Sequence, residues 1–494
     1  MTWLRNIANW LDSRLGLWAP VRDMATHRVP RRSASFFYVF GSAAFVLFIL
    51  QIVTGILLAF VYVPTGADAW NSLQALNHGV WLGWFLRAIH GWGADFMVAV
   101  VLLHLCQVFL FGAYKFPREL NWVIGVCLLL LTLGMAFTGQ VLRFDQDAYW
   151  GLGIGASIVG RVPLVGAVLV HLLLGGPMIN GATLSRFFTL HVFVIPALLI
   201  GLVGLHLLLV LKLGINEWPM PGRVVRRETY LREYEEELRK DSIPFVPDAI
   251  WKDMVFAAAI VLAVMACAAL FGPFGPRGIP DPTIIQTVPQ PDFFFLWLYA
   301  LLALLPPQME TPVLLVAPIL VIGAFVLLPF VAGEGEKSWR RRPVAVLSML
   351  VIAVSLGSLT SLANRTPWSP VMDAWSGDPI PRPDLQGRSP LELSGALVFQ
   401  DEQCRDCHSL GGVGGQRGPA LDAVATTLTQ DQLIRQVLQG GGNMPAYGKN
   451  LTPPEVTALV AFLETLHPVG ELPARNASQK EMENAAPLPP QSVR

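Results

Sequence analysis

Charged residues are scarce in this chain: lysine, arginine, aspartate and glutamate make up only 14% of its 494 residues. Hydrophobic residues make up 53%. This composition excludes an ordinary soluble globular protein and is typical of a protein that spans a membrane. The two signs of charge balance at 35 residues each, and we expect no nucleic-acid partner.

Cysteine is also scarce, with five in the chain. Cys106, Cys127 and Cys267 stand alone in apolar stretches, and we interpret them as small residues of a helical core. The other two belong to one short motif near the C-terminus. No second pair of cysteines or histidines lies near that motif, which argues against a zinc site there.

Long apolar runs are abundant. Seven of them approach or exceed the roughly 20 residues that cross a bilayer as a helix. They are 37–63, 84–111, 122–142, 187–211, 252–271, 312–332 and 343–363. An eighth, "FFFLWLYALLALL" at 293–305, ends at Pro306 and Pro307 and predicts a re-entrant or interfacial helix. The first run follows a long segment that contains tryptophan, so we expect no cleaved signal peptide.

The basic residues of the short connections alternate between the two sides of the membrane. Lysine and arginine precede the first run and occur between runs 2 and 3, 4 and 5, and 6 and 7, whereas residues 64–83 carry none. Because loops rich in these residues face the cytoplasm, the pattern predicts a cytoplasmic N-terminus. Seven crossings then place everything after residue 364 outside.

Four histidines lie within the runs in two equally spaced sets. His90 and His104 are 14 residues apart in the second run, and His191 and His206 are 15 apart in the fourth. At about 100° and 1.5 Å per residue, both spacings return a side chain to nearly the same helix face, roughly 21–23 Å further along. A lone histidine in an apolar helix is more often a hydrogen-bonded core residue.

Four histidines at matching depths predict two facing pairs. Runs 2 and 4 cross in the same direction, so His90 would face His191 near the outer surface, and His104 would face His206 near the inner one. We name these the outer pair and the inner pair. Neutral imidazole is a common axial ligand of haem iron. The sequence therefore predicts two stacked, noncovalent b-type haems in a four-helix bundle.

Glycines in the other two helices of that bundle repeat the same spacing. Gly41 and Gly55 in the first run, and Gly125 and Gly139 in the third, are each 14 residues apart. Glycine allows a backbone to approach a flat macrocycle closely, although membrane helices are rich in glycine in any case. We predict that these four positions pack against the haems.

The motif "CRDCHSL" near the C-terminus is the attachment signature of a c-type haem. Cys404 and Cys407 would form the thioether bonds, and His408 would bind the iron. Met444, which precedes a proline in a loop before a terminal helix, is the predicted second ligand. His467 is a poorer alternative because it closes that helix.

The membrane part resembles the cytochrome b subunit of the cytochrome bc and cytochrome bf quinol oxidoreductases. The resemblance covers about residues 8–365 and runs through "WFLRAIHGWGADFMVAVVLLH", "GAYKFPRELNWVIGV", "FTGQVLRFDQDAYWG", "SRFFTLHVFVIPALL" and "KSWRRRPVA". The 15-residue spacing is similar to the bf branch, in which two chains share the seven helices. Here both parts are fused. Members with an extra covalent haem carry a cysteine where this chain has Val39.

The family's quinol-oxidation motif, Pro-Glu-Trp-Tyr, is replaced here by "PDFFF". The resemblance implies that Pro291, Phe293 and Phe294 line a quinol pocket and that Asp292 accepts a proton from quinol, with Tyr149 in the same pocket. A partly desolvated aspartate can have its pKa raised toward such a role. The alternative is that Asp292 only caps the helix that begins at Phe293.

Other polar residues carry weaker expectations. Arg87 would pair with a haem propionate or anchor the helix at the membrane surface. Lys212 and Asp23 are candidates for an inner quinone site or are ordinary surface charges. Three histidines near loops are interpreted as surface or supporting residues: His27, His78 and His171.

The predicted fold is an all-α membrane protein, with a four-helix dihaem bundle and three further transmembrane helices, followed by a small all-α cytochrome c domain. The predicted boundaries are 1–36 for a cytoplasmic segment, 37–215 for the bundle, 216–365 for the three-helix part with the quinol loop, 366–390 for a linker, 391–468 for the cytochrome c domain and 469–494 for a disordered tail.

The resemblance implies a subunit of a bacterial quinol:cytochrome c oxidoreductase in the cytoplasmic membrane, coupled to proton translocation and forming a homodimer. Rieske-like pairs of cysteine and histidine do not occur in the sequence, so a separate Rieske iron–sulfur protein would be needed. A soluble or membrane-bound cytochrome c or a terminal oxidase would take the electrons. Two alternatives stay open: a dihaem anchor that serves another dehydrogenase without dividing the electrons of quinol, and a transporter whose histidines relay protons.

Overall fold

The computed structural model describes residues 2–16, 25–176, 179–281, 291–305, 307–365, 379–414, 418–440, 444, 446–448 and 450–474. The helices are α1 (Thr2–Leu15), α2 (Phe40–Ala59), α3 (Ala69–Gly79), α4 (Gly83–Leu110), α5 (Glu119–Leu142), α6 (Gln146–Gly160), α7 (Gly166–Leu174), α8 (Gly181–Leu213), α9 (Tyr230–Lys240), α10 (Ile250–Phe271), α11 (Phe293–Leu304), α12 (Pro307–Val331), α13 (Pro343–Arg365), α14 (Arg382–Leu385), α15 (Pro390–Asp401), α16 (Val424–Thr427), α17 (Gln430–Gln439) and α18 (Pro453–Leu463). The strands are β1 (Arg28–Pro30), β2 (Val224–Val225), β3 (Ser242–Pro244), β4 (Gly335–Glu336), β5 (Ser409–Leu410) and β6 (Val413–Gly414).

Seven helices in the described part of the chain are long and apolar enough to cross a membrane: α2, α4, α5, α8, α10, α12 and α13. They coincide with the seven predicted runs, so the predicted helical membrane fold is confirmed. Helix α11 has 12 residues, or about 18 Å, which is less than the roughly 30 Å of a hydrocarbon core. Pro307 opens α12, where its missing N–H costs no helical bond.

Four of these helices form the bundle. Helix α2 packs along α4, α5 packs along α8, and α10 covers the outside of α2 and α4. Ala43, Leu47, Val100 and Val264 form a buried core between α2, α4 and α10. Such close interhelical packing takes the place of the hydrophobic effect, which is weak between helices in lipid.

The basic connections meet on one face of the bundle, which we name the basic face. Strand β1 pairs with β3, which joins the N-terminal segment to the connection before α10. Strand β2 pairs with β4. This pairing joins the connection between α8 and α10 to the connection between α12 and α13. Phe116, between α4 and α5, bonds to Gly333 O at 3.0 Å. All four basic segments therefore lie on one side, as the charge pattern predicts.

A buried ion pair holds the basic face together. Glu217 and Lys337 are each 1% exposed, and their charged atoms lie 2.9 Å apart. Tyr230 donates to Glu217 at 2.7 Å and accepts from Arg118 at 2.7 Å. Burial alone would raise the pKa of Glu217, but Lys337 and Arg118 outweigh it and lower the pKa to about 2. Glu217 is therefore ionised at neutral pH.

The three isolated cysteines differ in burial. Cys106 and Cys267 are partly buried, as expected of small core residues, but Cys127 is exposed on α5. The interpretation of Cys127 as a core residue is wrong, because an apolar helix in a membrane presents apolar side chains on its outer surface as well.

The C-terminal module is built around two crossing helices, α15 and α18. Gly395 lies so close to the backbone of Ala458 that no side chain fits between them, which is a position that only glycine allows. Phe399 and Phe462 pack beside this crossing with ring centroids 5.5 Å apart. Helix α18 ends at Leu463, and residues 366–378 and 475–494, within the predicted linker and tail, lie outside the described part.

Candidate functional site

The four bundle histidines come together in the two predicted pairs. The rings of His90 in α4 and His191 in α8 have centroids 6.3 Å apart. His104 and His206 lie close enough to interact electrostatically. The separation in the outer pair leaves room for one metal atom bonded to both rings, because metal–imidazole bonds are about 2 Å long.

Two threonines that sequence reasoning missed orient the outer pair. Thr54 Oγ1 lies 2.8 Å from His90 Nδ1, and Thr138 Oγ1 lies 2.9 Å from His191 Nδ1. Each hydroxyl donates to the carbonyl four residues earlier in its own helix. The hydroxyl oxygen therefore accepts from Nδ1–H, which leaves Nε2 as the metal-binding nitrogen. The signal in the sequence is the Thr-Gly dipeptide that recurs at 54–55 and 138–139.

Each imidazole ring rests against one of the four predicted glycines. A methyl group built on the glycine would meet ring atom Cε1 at short range. The distances are 3.2 Å for Gly55 and His90, 2.9 Å for Gly139 and His191, 3.1 Å for Gly41 and His104, and 3.8 Å for Gly125 and His206. The glycines thus form a cradle for the rings, and the site fits two haems gripped between histidine pairs.

A π-helical turn in α8 explains the unequal histidine spacings. The turn spans Leu190–Val194, includes His191 and lies just before Pro196. A π turn holds one residue more than an α turn, and proline lacks the N–H needed for regular α-helical bonding. The 15-residue spacing in α8 therefore rotates the side chains by about as much as the 14-residue spacing in α4.

Gly139→Ala is expected to reduce occupancy of the outer haem, because the added methyl would lie 2.9 Å from the His191 ring, and Thr138 holds that ring in place. The b-haem to c-haem ratio of the purified protein, from a pyridine haemochrome spectrum, measures the effect. Gly201→Ala, on α8 with open space around it, is the control. Equal ratios in both variants would contradict the cradle.

The side chain of Asp292 faces an arginine instead of capping a helix in the described part of the chain. Asp292 occupies the N-cap position of α11, but its side chain makes no capping hydrogen bond within the described residues. Its Oδ1 instead lies 3.9 Å from Nη1 of Arg143, which also approaches Asp145 at 3.7 Å. Burial raises the pKa of Asp292 against the opposing effect of Arg143. A carboxyl in this setting holds a proton more readily than an exposed one.

The motif that contains Asp292 lies beside the outer histidine pair. The ring of Phe295 packs on Phe137 with centroids 6.4 Å apart, and Phe137 precedes Thr138, which bonds to His191. Phe294 is buried, whereas Phe293 is 41% exposed and Pro291 is partly buried. The aromatic residues of "PDFFF" therefore form an apolar wall next to the outer pair.

Tyr149 lies in the first turn of α6. Its backbone N–H bonds to Asp145 O at 2.9 Å, one turn earlier in α6. Its side chain packs on the buried cluster of Ala69, Phe144 and Leu184. The predicted place of Tyr149 in the quinol pocket stays a prediction.

Arg87 is 8% exposed and is engaged by the loops opposite the basic face. It donates to Asn77 Oδ1 at 3.0 Å, to Gly275 O at 2.7 Å and to Phe274 O. These bonds tie α4 to the connections before α4 and before α11. A guanidinium has five N–H groups, and the three acceptors named here do not use all of them. The predicted contact between Arg87 and a haem propionate stays a prediction.

The inner quinone candidates are dispersed. Lys212 is exposed near the end of α8, and Asp23 lies outside the described residues.

Val39, where some family members carry a cysteine, is 1% exposed. The neighbouring Tyr38 packs on Phe111 with ring centroids 5.5 Å apart, and Phe111 packs on Trp218 with ring centroids 5.3 Å apart. The other three histidines lie outside the bundle pairs: His78 and His171 are exposed, and His27 is partly buried.

In the C-terminal module, one hydrogen bond and a close glycine fix the ring of His408. Its Nδ1 donates to Pro419 O at 2.7 Å, which leaves Nε2 for a metal. The ring rests on Gly418, where any side chain would collide with it. The amide of His408 bonds to Cys404 O at 3.0 Å, so one turn carries Cys404, Cys407 and His408.

Met444 packs against the hydrophobic core of the module, as Cys404 does. Its Sδ lies 3.5 Å from Nε2 of Gln436. His467 follows the end of α18, and its Nδ1 lies 3.2 Å from Pro468 O. The shared core contact of Cys404 and Met444 supports Met444 as the second ligand of a c haem.

A membrane bundle with two stacked histidine pairs, followed by a module with a C-x-x-C-H motif, defines the class of membrane-bound electron-transport cytochromes. Family models agree: "Cytochrome b/b6/petB" matches residues 26–214, and "Cytochrome C oxidase, cbb3-type, subunit III" matches residues 391–463. The chain belongs to the cytochrome b/b6 family and carries a C-terminal cytochrome c domain. The resemblance predicted from the sequence is confirmed.

Relatives and a solved structure support this assignment. Cytochrome b6 of Heliobacterium modesticaldum is 40% identical over 210 residues, which cover 42% of this chain and 99% of that protein. The menaquinol:cytochrome c reductase cytochrome b subunit of Geobacillus thermodenitrificans is 39% identical over 220 residues, covering 43% and 98%. The structure titled "Hyperthermophilic respiratory Complex III" is 29% identical with a TM-score of 0.63, covering 72% of this chain and 91% of that one.

Proposed function

We propose that this chain is the fused cytochrome b and cytochrome c subunit of a bacterial quinol:cytochrome c oxidoreductase of the bc type. The observation that carries the proposal is the position of Asp292, a carboxylate of raised pKa, on an apolar wall beside the outer histidine pair. A relative named as a menaquinol:cytochrome c reductase subunit supports it.

The residues of the chain fit three haems. His90 and His191 would bind the outer b haem, and His104 and His206 the inner one. A c haem would be held by Cys404, Cys407, His408 and Met444. When bound, these groups supply the one-electron transfers that link the two faces of the membrane and the C-terminal domain. Thr54 and Thr138 keep the outer imidazoles in the tautomer that binds iron.

Asp292 would accept the proton of a quinol hydroxyl. Phe294 and the neighbouring rings exclude water from this side of the pocket, which raises the proton affinity of the carboxylate toward that of the quinol. Arg143 limits that rise, because its positive charge favours the ionised form of Asp292. Proton transfer then accompanies loss of an electron from quinol.

The basic face would be cytoplasmic, in the inner membrane of a bacterium. Quinol would then be oxidised on the outer side and quinone reduced on the inner side, which translocates protons. A Rieske iron–sulfur protein would take the first electron and pass it to the c haem. A cytochrome c or terminal oxidase would follow, and the complex would be a homodimer in the lipid bilayer.

Asp292→Asn is expected to slow quinol-driven reduction of the b and c haems by about 100-fold or more, because the amide cannot accept the proton. In the wild-type complex, the rate should fall as pH drops through the raised pKa of Asp292, since only the ionised carboxylate is a base. Stopped-flow absorbance of the haems measures both. Asp68→Asn, an exposed aspartate of the connection between α2 and α4, is the control.

A dihaem anchor for another dehydrogenase is the competing function. It predicts that Asp292→Asn and Asp68→Asn behave alike while both keep normal haem spectra. That outcome would overturn the proposed role of the pocket. A protein without bound haem would instead favour a transporter in which the histidines relay protons.

A further inference from the structure

The sulfur of Met444 receives a hydrogen bond that no motif in the sequence indicated. The side-chain amide of Gln436, in α17, donates from Nε2 to Met444 Sδ at 3.5 Å. A thioether sulfur has no hydrogen to donate and is a weak acceptor. Met444 is the proposed second ligand of the c haem, so Gln436 contacts the ligand atom itself.

The loop that carries Met444 is fastened to the same helix. The amide of Tyr447 donates to Val437 O at 2.9 Å, and the amide of Gly448 donates to Leu438 O at 3.2 Å. Gly448 lies so close to this turn that a methyl group built on it would meet Leu438 O at 2.8 Å. The last two turns of α17 therefore hold both the sulfur and the loop that presents it.

Helix α17 is itself fixed against the core of the module. Leu433 and Val437, which flank Gln436 along the helix, are 3% and 4% exposed and belong to the hydrophobic core. A capping box formed by Thr429 and Gln432 fixes the first turn. A donor on such a helix has a restricted position, and donors and acceptors that contact a metal ligand in this way orient it.

We propose that Gln436 is a positioning residue of the c haem, which holds the Met444 sulfur by its hydrogen bond and raises the reduction potential of the iron. The inference rests on the c-haem site of the proposed function. A thioether sulfur has two lone pairs, so it can bind iron with one and accept from Gln436 with the other. The hydrogen bond withdraws electron density from the sulfur. Because ferric iron needs that density more than ferrous iron does, the ferric state is destabilised.

This bond would favour the arrival of an electron at the c haem. In the proposed function, that electron comes from the iron–sulfur partner and leaves for a cytochrome c or an oxidase. A higher potential at the c haem makes the first of these transfers more favourable. Gln436 itself gains and loses neither an electron nor a proton.

A redox titration of the c haem in the purified complex tests the proposal. Gln436→Leu is expected to lower the equilibrium constant for reduction by about threefold to tenfold, where tenfold corresponds to about 59 mV for a one-electron couple. Gln436→Glu, which has nearly the same volume, should also lower it, because an ionised carboxylate cannot donate. The far-red absorption band that reports a bond between ferric iron and a thioether should remain in both variants.

Gln439 supplies the matched controls, because it is an exposed glutamine at the end of the same helix. Gln439→Leu and Gln439→Glu make the same changes of polarity and charge three residues further along. Both should keep the wild-type potential, since water and salt screen an exposed charge.

The outcomes separate this inference from the proposed function. A potential in Gln436→Leu that equals or exceeds that of the wild type would overturn the role of Gln436, as would equal changes in the Gln436 and Gln439 variants. If Gln436→Leu does not bind haem, Gln436→Glu must show the fall with the far-red band present. Absence of that band from the ferric wild-type protein would instead refute Met444 as a ligand, and with it the c-haem site of the proposed function.

Discussion

His191→Leu is expected to reduce the haem content from two b haems per c haem to one and to abolish electron transfer from quinol to the inner haem. Leucine fills a similar volume but has no nitrogen for iron, and the partner ring of His90, 6.3 Å away, cannot hold a haem alone at full affinity. The C-terminal domain has its own ligands, so its haem should remain. A pyridine haemochrome spectrum with a redox titration measures each haem separately.

His171→Leu is the matched control, because His171 is an exposed histidine of α7 outside the bundle. It should keep two b haems per c haem. If His191→Leu also kept both b haems, the outer pair would not be a haem site, and the proposed path of electrons across the membrane would be wrong.

Lys337→Met is expected to destabilise the protein by about 3–5 kcal/mol, because it leaves the Glu217 carboxylate buried without its main counter-ion. Both side chains are 1% exposed, so water cannot replace the lost partner. The pKa of Glu217 is lowered from 4.5 to about 2. The ion pair therefore contributes its full stabilising free energy above pH 4.5, and this contribution is lost as pH falls toward about 2. Thermal loss of b-haem absorbance in detergent measures the change.

The double variant Glu217→Leu with Lys337→Met distinguishes an unpaired charge from lost packing. It should recover most of the stability, since apolar residues often replace a buried ion pair without cost. Arg340→Met removes an exposed charge from the same connection and should change little. A double variant as unstable as Lys337→Met would show that the pair itself supplies the stability.

Much of the haem scaffold could be predicted because it follows from helical periodicity. The 14-residue spacing of Gly41 and Gly55 matches that of His90 and His104, and the structure places each glycine against a ring. The Thr54 and Thr138 contacts escaped because a threonine in a membrane helix usually bonds to its own backbone. The π turn at Leu190–Val194 escaped because regular helix geometry already brought the 15-residue spacing to nearly the same face.

The sequence by itself determined the seven long apolar helices, the grouping of the basic segments on one face, the depths of the histidines and the c-haem motif. These are properties of single helices or short motifs, and bilayer thickness and the helix repeat govern them. Only the tertiary structure decided that Arg143 approaches both Asp145 and Asp292, and that Lys337 neutralises Glu217. Contacts between distant segments depend on how the helices pack, and no local pattern records which charges that packing brings together.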